Sequence, residues 1–253
     1  MAALAPTWLS RNLSAEHTIP SPSGILKCRR QLWLQAKGKT STEQLPLYWR
    51  IRQALGVMQE LYWMAVFKTA GFKITTLQEP VPCGAHMKGY PDAILEDDYV
   101  LEFKNMTGFE YQKLLSNSQG ISAVKPDHMA QLSLYMEGTG KDFGLYCAAP
   151  ADPGMLQSII RTKEGDNEYN IPPYYLEWVH KDKGYVNFLM RRAEAITQDL
   201  QNEDTPAKEY DGKEFTIRGK CSWPCGYCLQ RPFCLEENSN IEESLECQTP
   251  LNV

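Results

Sequence analysis

Between Gly89 and Lys104 the chain has to double back on itself. Gly89-Tyr90-Pro91-Asp92 leads into the apolar triplet Ala93-Ile94-Leu95, an acidic turn Glu96-Asp97-Asp98 follows, and Tyr99-Val100-Leu101-Glu102-Phe103-Lys104 comes next. Short apolar runs on either side of a polar turn predict a β-hairpin. With Glu96 to Asp98 as the turn, Leu95 faces Tyr99 and Asp92 falls directly opposite Glu102. Directly opposed residues share a face of the sheet. Strand alternation adds Lys104 to that face and sends Leu101 and Phe103 to the other, apolar one. The hairpin therefore brings Asp92, Glu102 and Lys104 together.

Two carboxylates at cross-strand distance repel each other unless a cation lies between them, and hard oxygen ligands of this kind suit Mg²⁺ or Mn²⁺. A neighbouring ammonium can position an attacking water and offset charge developing on a scissile phosphate. The chemistry that uses all three groups is phosphodiester hydrolysis. The alternative is a solvent-facing strand edge carrying an ordinary salt bridge. Glu102-Phe103-Lys104 is the one Glu-x-Lys in the chain, and it stands in a strand-like context.

Two further segments carry spacing information. Pro126-Asp127 supplies a helix start and Gly138 a stop, so Gln131 and Tyr135, at i and i+4, share one helical face; the bland reading is a partly buried Tyr beside a surface Gln. Cys225-Gly226-Tyr227-Cys228 followed by Cys234 forms a C-x2-C-x5-C cluster, a spacing that serves a metal. Three thiolates leave one ligand to find, and Cys221, four residues before Cys225, competes for that place. Zinc accepts such thiolates as readily as an iron–sulfur cluster does. A disulfide framework suits the chain less well, because 253 residues can bury a core without staples. Cys83, Cys147 and Cys247 read as ordinary thiols, with Cys147 buried in an apolar strand.

Taken in order, these residues resemble the PD-(D/E)XK nucleases, whose signature matches Pro91-Asp92 and Glu102-Phe103-Lys104. Gln131-Leu132-Ser133-Leu134-Tyr135 resembles the Gln-x-x-x-Tyr element of the RecB-like branch, and Gly56-Val57-Met58-Gln59-Glu60 stands where that branch has Gly, three residues, then His or Glu. Cys28, in Leu26-Lys27-Cys28-Arg29-Arg30-Gln31-Leu32-Trp33, resembles the lone N-terminal ligand of the iron–sulfur subset. That subset includes CRISPR adaptation exonucleases, cluster-bearing helicase-nuclease subunits and phage relatives. The resemblance runs from Cys28 to Cys234.

It implies a restriction-endonuclease-like α/β fold, a mixed sheet flanked by helices, with an N-terminal helical region and a C-terminal cysteine cluster closing on Cys28. By the same resemblance Asp92 and Glu102 bind Mg²⁺ or Mn²⁺, with Glu60 and the Phe103 carbonyl as further ligands, and Lys104 positions water. Gln131 and Tyr135 contact DNA or brace the active site. Cys28, Cys225, Cys228 and Cys234 hold a 4Fe–4S cluster, leaving Cys221 spare. The implied activity is a DNA exonuclease preferring single-stranded ends, in recombination, repair, phage DNA metabolism or CRISPR adaptation. Helicase, recombinase or CRISPR integration proteins are the expected partners, and a homo-oligomer is compatible, since relatives form rings. The rival is a non-catalytic iron–sulfur DNA-binding subunit of a larger nuclease or helicase assembly, against which the intact Asp, Glu and Lys set argues. A zinc-structured interaction module leaves the hairpin and the Gln131 helix unexplained.

A net charge of −5 runs mildly against nucleic-acid binding, which draws on Lys and Arg. Distribution answers part of this: Lys27, Arg29, Arg30, Lys37 and Lys39 form a run without an acid, a candidate basic rim if not simply a solvated helix face. With 43% hydrophobic residues, no apolar run of membrane length and an N-terminus broken by Pro6, Arg11 and Glu16, the expectation is a cytoplasmic protein of one nuclease domain. Its parts are a flexible N-terminus (1–22), a helical region with Cys28 (23–75), the core (76–200), the cysteine region (214–235) and a mobile tail (236–253). Long helical patterns are expected near 44–70 and 185–200, with a strand at 142–149. His17, His86, His128 and His180 are not paired at ligand spacing; His86 and His128 read as surface or supporting residues.

Overall fold

Strand β5 (Tyr99–Met106) is the spine of the molecule. In the computed structural model, which describes residues 19–40, 47–77, 79–84, 86–151, 174–210, 216–217, 220–221, 225 and 228–236, it pairs antiparallel with β4 (Ala93–Leu95) and parallel with β6 (Phe143–Pro150). Strands β1 (Ile74–Leu77) and β7 (Tyr175–His180) complete a five-stranded mixed sheet of order β1-β4-β5-β6-β7. Leu95 lies opposite Tyr99 and Ala93 opposite Leu101, the register that the turn predicts. Glu96 and Asp97 take φ values of 52° and 62°, the left-handed conformation that tight hairpins use. Lys73 holds the turn: its N–H donates to Glu96 Oε1 at 2.7 Å and its ammonium pairs with Asp97.

A parallel β5–β6 pair needs a crossover. It is made by α3 (Gly108–Ser116), α4 (Ile121–Val124) and α5 (Pro126–Thr139), labelled after α1 (Arg29–Ala36) and α2 (Leu47–Thr69). Helix α3 starts at a capping box in which Thr107 and Glu110 satisfy each other's backbone N–H groups. Helix α5 starts at Pro126 as expected but runs through Gly138 to Thr139, and it stops at Gly140, whose φ of +67° gives the left-handed cap. Gly138 serves close approach instead: a Cβ there would stand 2.7 Å from the Pro82 carbonyl oxygen of β2 (Val81–Pro82), which pairs with β3 (Lys88–Gly89).

Two apolar layers follow from the alternation of β5. Leu101 and Phe103 join Ala93, Leu95, Leu145, Cys147 and Ala149 beneath Met64 and Phe67 of α2. Val100 and Met106 join Tyr146, Ala148, the interior of α5 and Leu189, Ala193 and Ile196 of α6 (Lys183–Gln201) on the other face. Both faces are thus covered, as parallel strands require. The second face is the one that carries Glu102 and Lys104, so a solvent-facing edge is not what they occupy.

The N-terminal segment is tied to α6. Arg29 grips Asp199 with two 2.6 Å bonds, Trp33 Nε1 donates to the Asn202 carbonyl, and Arg192 donates to the carbonyls of Ile25 and Lys27 and to Glu209. Charge-assisted bonds from a mostly buried guanidinium contribute about 2–3 kcal/mol when the partners would otherwise be stranded. Arg192→Ala is therefore expected to lower Tm by about 4–8 °C, read by calorimetry; an unchanged Tm would show the segment to be held elsewhere. The cysteine region contributes α7 (Arg231–Glu236) and a two-stranded ribbon of β8 (Thr216–Ile217) and β9 (Lys220–Cys221). Among its described residues, region 23–75 holds α1 and α2 and ends in β1. Residues 1–18 and 237–253, which hold most of the expected flexible N-terminus and the tail, lie outside the described residues, as does the stretch before Leu47 that includes the expected start of the long helix. No described helix is long and apolar enough to cross a membrane.

Candidate active site

Strand β4 begins at Ala93, opposite Leu101, so β5 from Glu102 onward runs past its neighbour and leaves a notch in the sheet. Asp92 fills it. Its Oδ2 accepts the Phe103 N–H at 2.6 Å, the donor that a longer β4 would otherwise have met. Glu102 is 0% exposed and its Oε2 accepts no hydrogen bond. Lys104 Nζ forms an ion pair with Glu102 Oε1. Glu60 reaches in from α2 to share a hydrogen bond with the Asp92 carboxyl, and its charge acts on Lys104. Four of the side chains singled out in the sequence therefore meet at one point, drawn from β5, the bend just before β4 and helix α2.

The electrostatics follow from burial. Loss of water raises the Asp92 pKa above the usual carboxylate range, against the opposing pull of Lys104, the Phe103 N–H and Glu60. Glu102 is pushed up to about 8, first by burial and then by the Asp92 charge, with Lys104 compensating only in part. Burial works against the Lys104 ammonium, but Glu102, Asp92 and Glu60 outweigh it and hold its pKa above the ordinary value. The site thus presents a fixed cation beside two carboxyls that hold protons more tightly than usual. A hard cation between Asp92 and Glu102 would offset the repulsion of the two carboxyls and give the buried Oε2 a partner.

Gln131 and Tyr135 do share a face of α5, and Gln131 Nε2 donates to the Tyr135 hydroxyl at 2.9 Å. Both are buried, at 8% and 5% exposure, so the surface-Gln reading does not hold. Burial raises the Tyr135 hydroxyl pKa far above its ordinary value, with the Glu102 charge adding to it. The sequence offers no hint of Tyr146. It stands beside Glu102 across the parallel register, and its hydroxyl lies 2.7 Å from His128 Nδ1. Burial, then Lys104 and Lys125, push the His128 pKa down to about 2, so its imidazole is neutral. No local spacing links residue 146 or 128 to residue 102; only the crossover does.

The expected basic rim is partly spent on structure. Arg29 is committed to Asp199, and Arg30 is 7% exposed with its guanidinium donating to the Pro206 carbonyl. Both residues pack α1 onto its neighbours rather than standing free for a phosphate.

Cys28, Cys225, Cys228 and Cys234 line one cavity of about 60 Å³, together with Arg30, Leu34, Lys208, Tyr210 and Arg231. The thiols sense one another: burial raises Cys225, with Cys28 and Cys234 adding to it, and burial pushes Cys228 up to about 11, with Cys225, Cys28 and Cys234 contributing. Cys83 and Cys147 are buried in the core. Of Cys221, only the backbone in β9 is described. Among the described residues no group of three or more His, Cys, Asp and Glu side chains forms a ready-made cage for a single metal ion.

No protein-family model matches the chain, and no curated protein matches it in sequence. Solved structures do match in shape. LHK-Exo, an alkaline exonuclease from Laribacter hongkongensis solved with dAMP, superposes with a TM-score of 0.53 at 14% identity, covering 78% of this chain and 92% of that one. A phage-related exonuclease from Haemophilus somnus does so with a TM-score of 0.52 at 13% identity, covering 75% and 96%. The mixed five-stranded sheet flanked by helices is the fold that this chain shares with those exonucleases.

Proposed function

We propose that this chain is a metal-dependent DNA exonuclease of the PD-(D/E)XK type, with Asp92, Glu102 and Lys104 as its catalytic set. One observation carries the reading: a buried Glu102 oxygen without a partner, set beside Asp92 and a lysine at the notch of the sheet. Asp92 and Glu102 would hold Mg²⁺ or Mn²⁺, with Glu60 and the Phe103 carbonyl as further oxygens; such ions are bound by one or two carboxylates plus substrate phosphate rather than by a full protein cage. Bound there, the ion would polarise a phosphoryl oxygen and make water a stronger nucleophile.

The chain's own groups do the rest. The Phe103 N–H fixes the orientation of Asp92. Lys104, held cationic by three carboxyls, offers charge and donors to the phosphate and orients water; it is not the base in this state. Tyr135 and Gln131 brace the floor. The exonuclease activity of structures sharing the fold, one of them solved with a nucleotide, supports DNA as substrate, and the RecB-like resemblance supports single-stranded ends. Digestion of end-labelled single- and double-stranded DNA with Mg²⁺ or Mn²⁺ tests this, with Lys104→Ala as control. Stepwise shortening from an end in wild type, reduced at least about 100-fold in the variant, is expected; DNA binding without cleavage would favour the non-catalytic subunit.

The raised carboxyl makes a separate prediction. Below pH 8 the metal-free Glu102 keeps its proton, and a cation must displace it. Apparent Mg²⁺ affinity is therefore expected to rise with pH, up to about tenfold per unit, levelling off above about pH 8. Calorimetry in buffers of different ionisation enthalpy should find close to one proton released at pH 7 and few at pH 9; no release at pH 7 would refute the ligand role of Glu102.

The cysteine-lined cavity supports a second metal centre, a 4Fe–4S cluster held by Cys28, Cys225, Cys228 and Cys234, with Cys221 spare. A cluster and a tetrahedral zinc ion both take four thiolates, and iron with sulfide in anaerobically purified protein is the result that selects the cluster.

A further inference from the structure

The long helix α2 passes the notch twice over. Glu60 reaches the Asp92 carboxyl, and one turn later Trp63 lies over β5, its ring 5.9 Å from that of Phe103, the residue between Glu102 and Lys104. Trp63 does not end the contact. Tyr62 stands edge-on to it at 5.4 Å and Tyr174, just before β7, does so at 5.1 Å from another side. These outer rings are open: Tyr62 is 61% exposed and Tyr174 42%. An aromatic wall thus runs from β5 out to solvent on the face opposite Glu102 and Lys104, one turn along α2 from Glu60, the residue that bonds Asp92 at the notch.

A second feature lies along the same wall. Helix α2 and β5 meet through one face of each at the contact of Trp63 with Phe103. The next turn of α2 on that face is Gln59, and the next residue of β5 on that face is Asn105. Both carry a buried amide oxygen, Gln59 Oε1 and Asn105 Oδ1, that accepts no hydrogen bond. Buried polar atoms ordinarily find partners, so two without them beside an aromatic wall mark where a polar, flat group belongs.

We infer that this rim is a nucleobase subsite: Trp63, Tyr62 and Tyr174 take the face of the base adjoining the scissile phosphate, and the Gln59 and Asn105 amides meet its edge. The inference rests on the DNA exonuclease reading of Asp92, Glu102 and Lys104, and the link between that site and the wall is α2, whose Glu60 bonds Asp92 and whose Trp63 stands one turn further along. A nucleobase is the occupant that uses both features, since an apolar partner would leave the amide oxygens stranded and a bare phosphate would be repelled by them. Stacking tolerates any base, which suits an enzyme that removes nucleotides in succession. It also requires the base to be unpaired from its complement, which selects single-stranded ends.

Tyr174→Ala is the informative variant, because its half-exposed ring contributes little to the core; Trp63→Phe, which keeps the packing on Phe103, serves as the second. Binding is measured by fluorescence anisotropy in Ca²⁺ with a 12-nucleotide single strand, and with the same strand made abasic in the two terminal nucleotides at both ends. Wild type is expected to bind the intact strand about 5- to 100-fold more tightly than the abasic one, and Tyr174→Ala to lose most of that difference while binding the abasic strand as wild type does. Equal binding of the two strands by wild type, or an equal loss on both strands in the variant, would overturn the subsite. A base-dependent affinity without cleavage in Mg²⁺ or Mn²⁺ would sink the catalytic reading and leave the subsite standing; cleavage without base dependence would do the reverse.

Discussion

Glu102→Gln is expected to abolish cleavage, lowering kcat by at least about 10³-fold with Mg²⁺, while the metal-free variant unfolds at a higher temperature than wild type. The two effects have one cause. Glu102 is fully buried, its Oε2 is unpartnered, and Asp92 stands beside it. That arrangement suits a cation and penalises its absence. In the folded, metal-free chain the carboxyl titrates near 8, above its value in the unfolded chain. A carboxyl whose folded pKa is raised contributes stability that is fully present below its unfolded pKa and is lost as pH rises through the folded one. Wild type without metal should therefore lose stability between about pH 5 and 9, on the order of a few kcal/mol, and the Glu102→Gln variant, whose amide has no proton to lose, should not. The Tm difference between variant and wild type should widen toward pH 9 and shrink or reverse when Mg²⁺ is added. An active Glu102→Gln enzyme would move the chemistry away from the notch, whereas an inactive variant with no pH-dependent gain in Tm would mean that Glu102 is not the strained group described above.

Cys228→Ser is expected to produce the largest loss of stability in the chain, with loss of bound iron and sulfide from anaerobically purified protein. Cys28 precedes α1, Cys225 and Cys228 precede α7, Cys234 lies within it, and all four line one cavity. A group bonded to all four would join segments separated by about 200 residues. A cross-link over that span restrains the unfolded chain by about 5 kcal/mol, so removing one anchor should lower Tm by about 10–20 °C. Cys221→Ser, by contrast, should leave metal content unchanged. Zinc without sulfide in the wild type would replace the cluster by a tetrahedral site, and an unaltered Tm in Cys228→Ser would dismiss the staple.

Legibility differs sharply among the parts of the site. Asp92, Glu102 and Lys104 can be placed from the chain alone because they belong to one hairpin, where a tight turn sets the register and alternation sets the faces. Gln131 and Tyr135 can be paired for the same reason, since four residues on a helix is a local distance. Their burial cannot be read, because it depends on what packs over α5. The helix stop expected at Gly138 is wrong because a glycine that ends a helix looks identical to one that lets a neighbouring strand come close. Arg29 and Arg30 look free in a run without acids; Asp199, 170 residues away, is what engages Arg29.

What the sequence by itself determined is therefore everything set by short-range geometry: the hairpin and its converging carboxylates, the helix face, the metal-serving spacing of Cys225, Cys228 and Cys234. Resemblance, not spacing, nominated Glu60 and Cys28. Only the tertiary structure brought Glu60 to Asp92, Cys28 to the distant cysteines, Tyr146 to Glu102, and the rings of Trp63 and Tyr174 together. It also decided that the face carrying Glu102 and Lys104 is buried, and with that the shifted protonation of its acids. Such contacts arise where a crossover and a packed helix close long loops, and burial is a property of the whole core, so neither leaves a periodic trace along the chain.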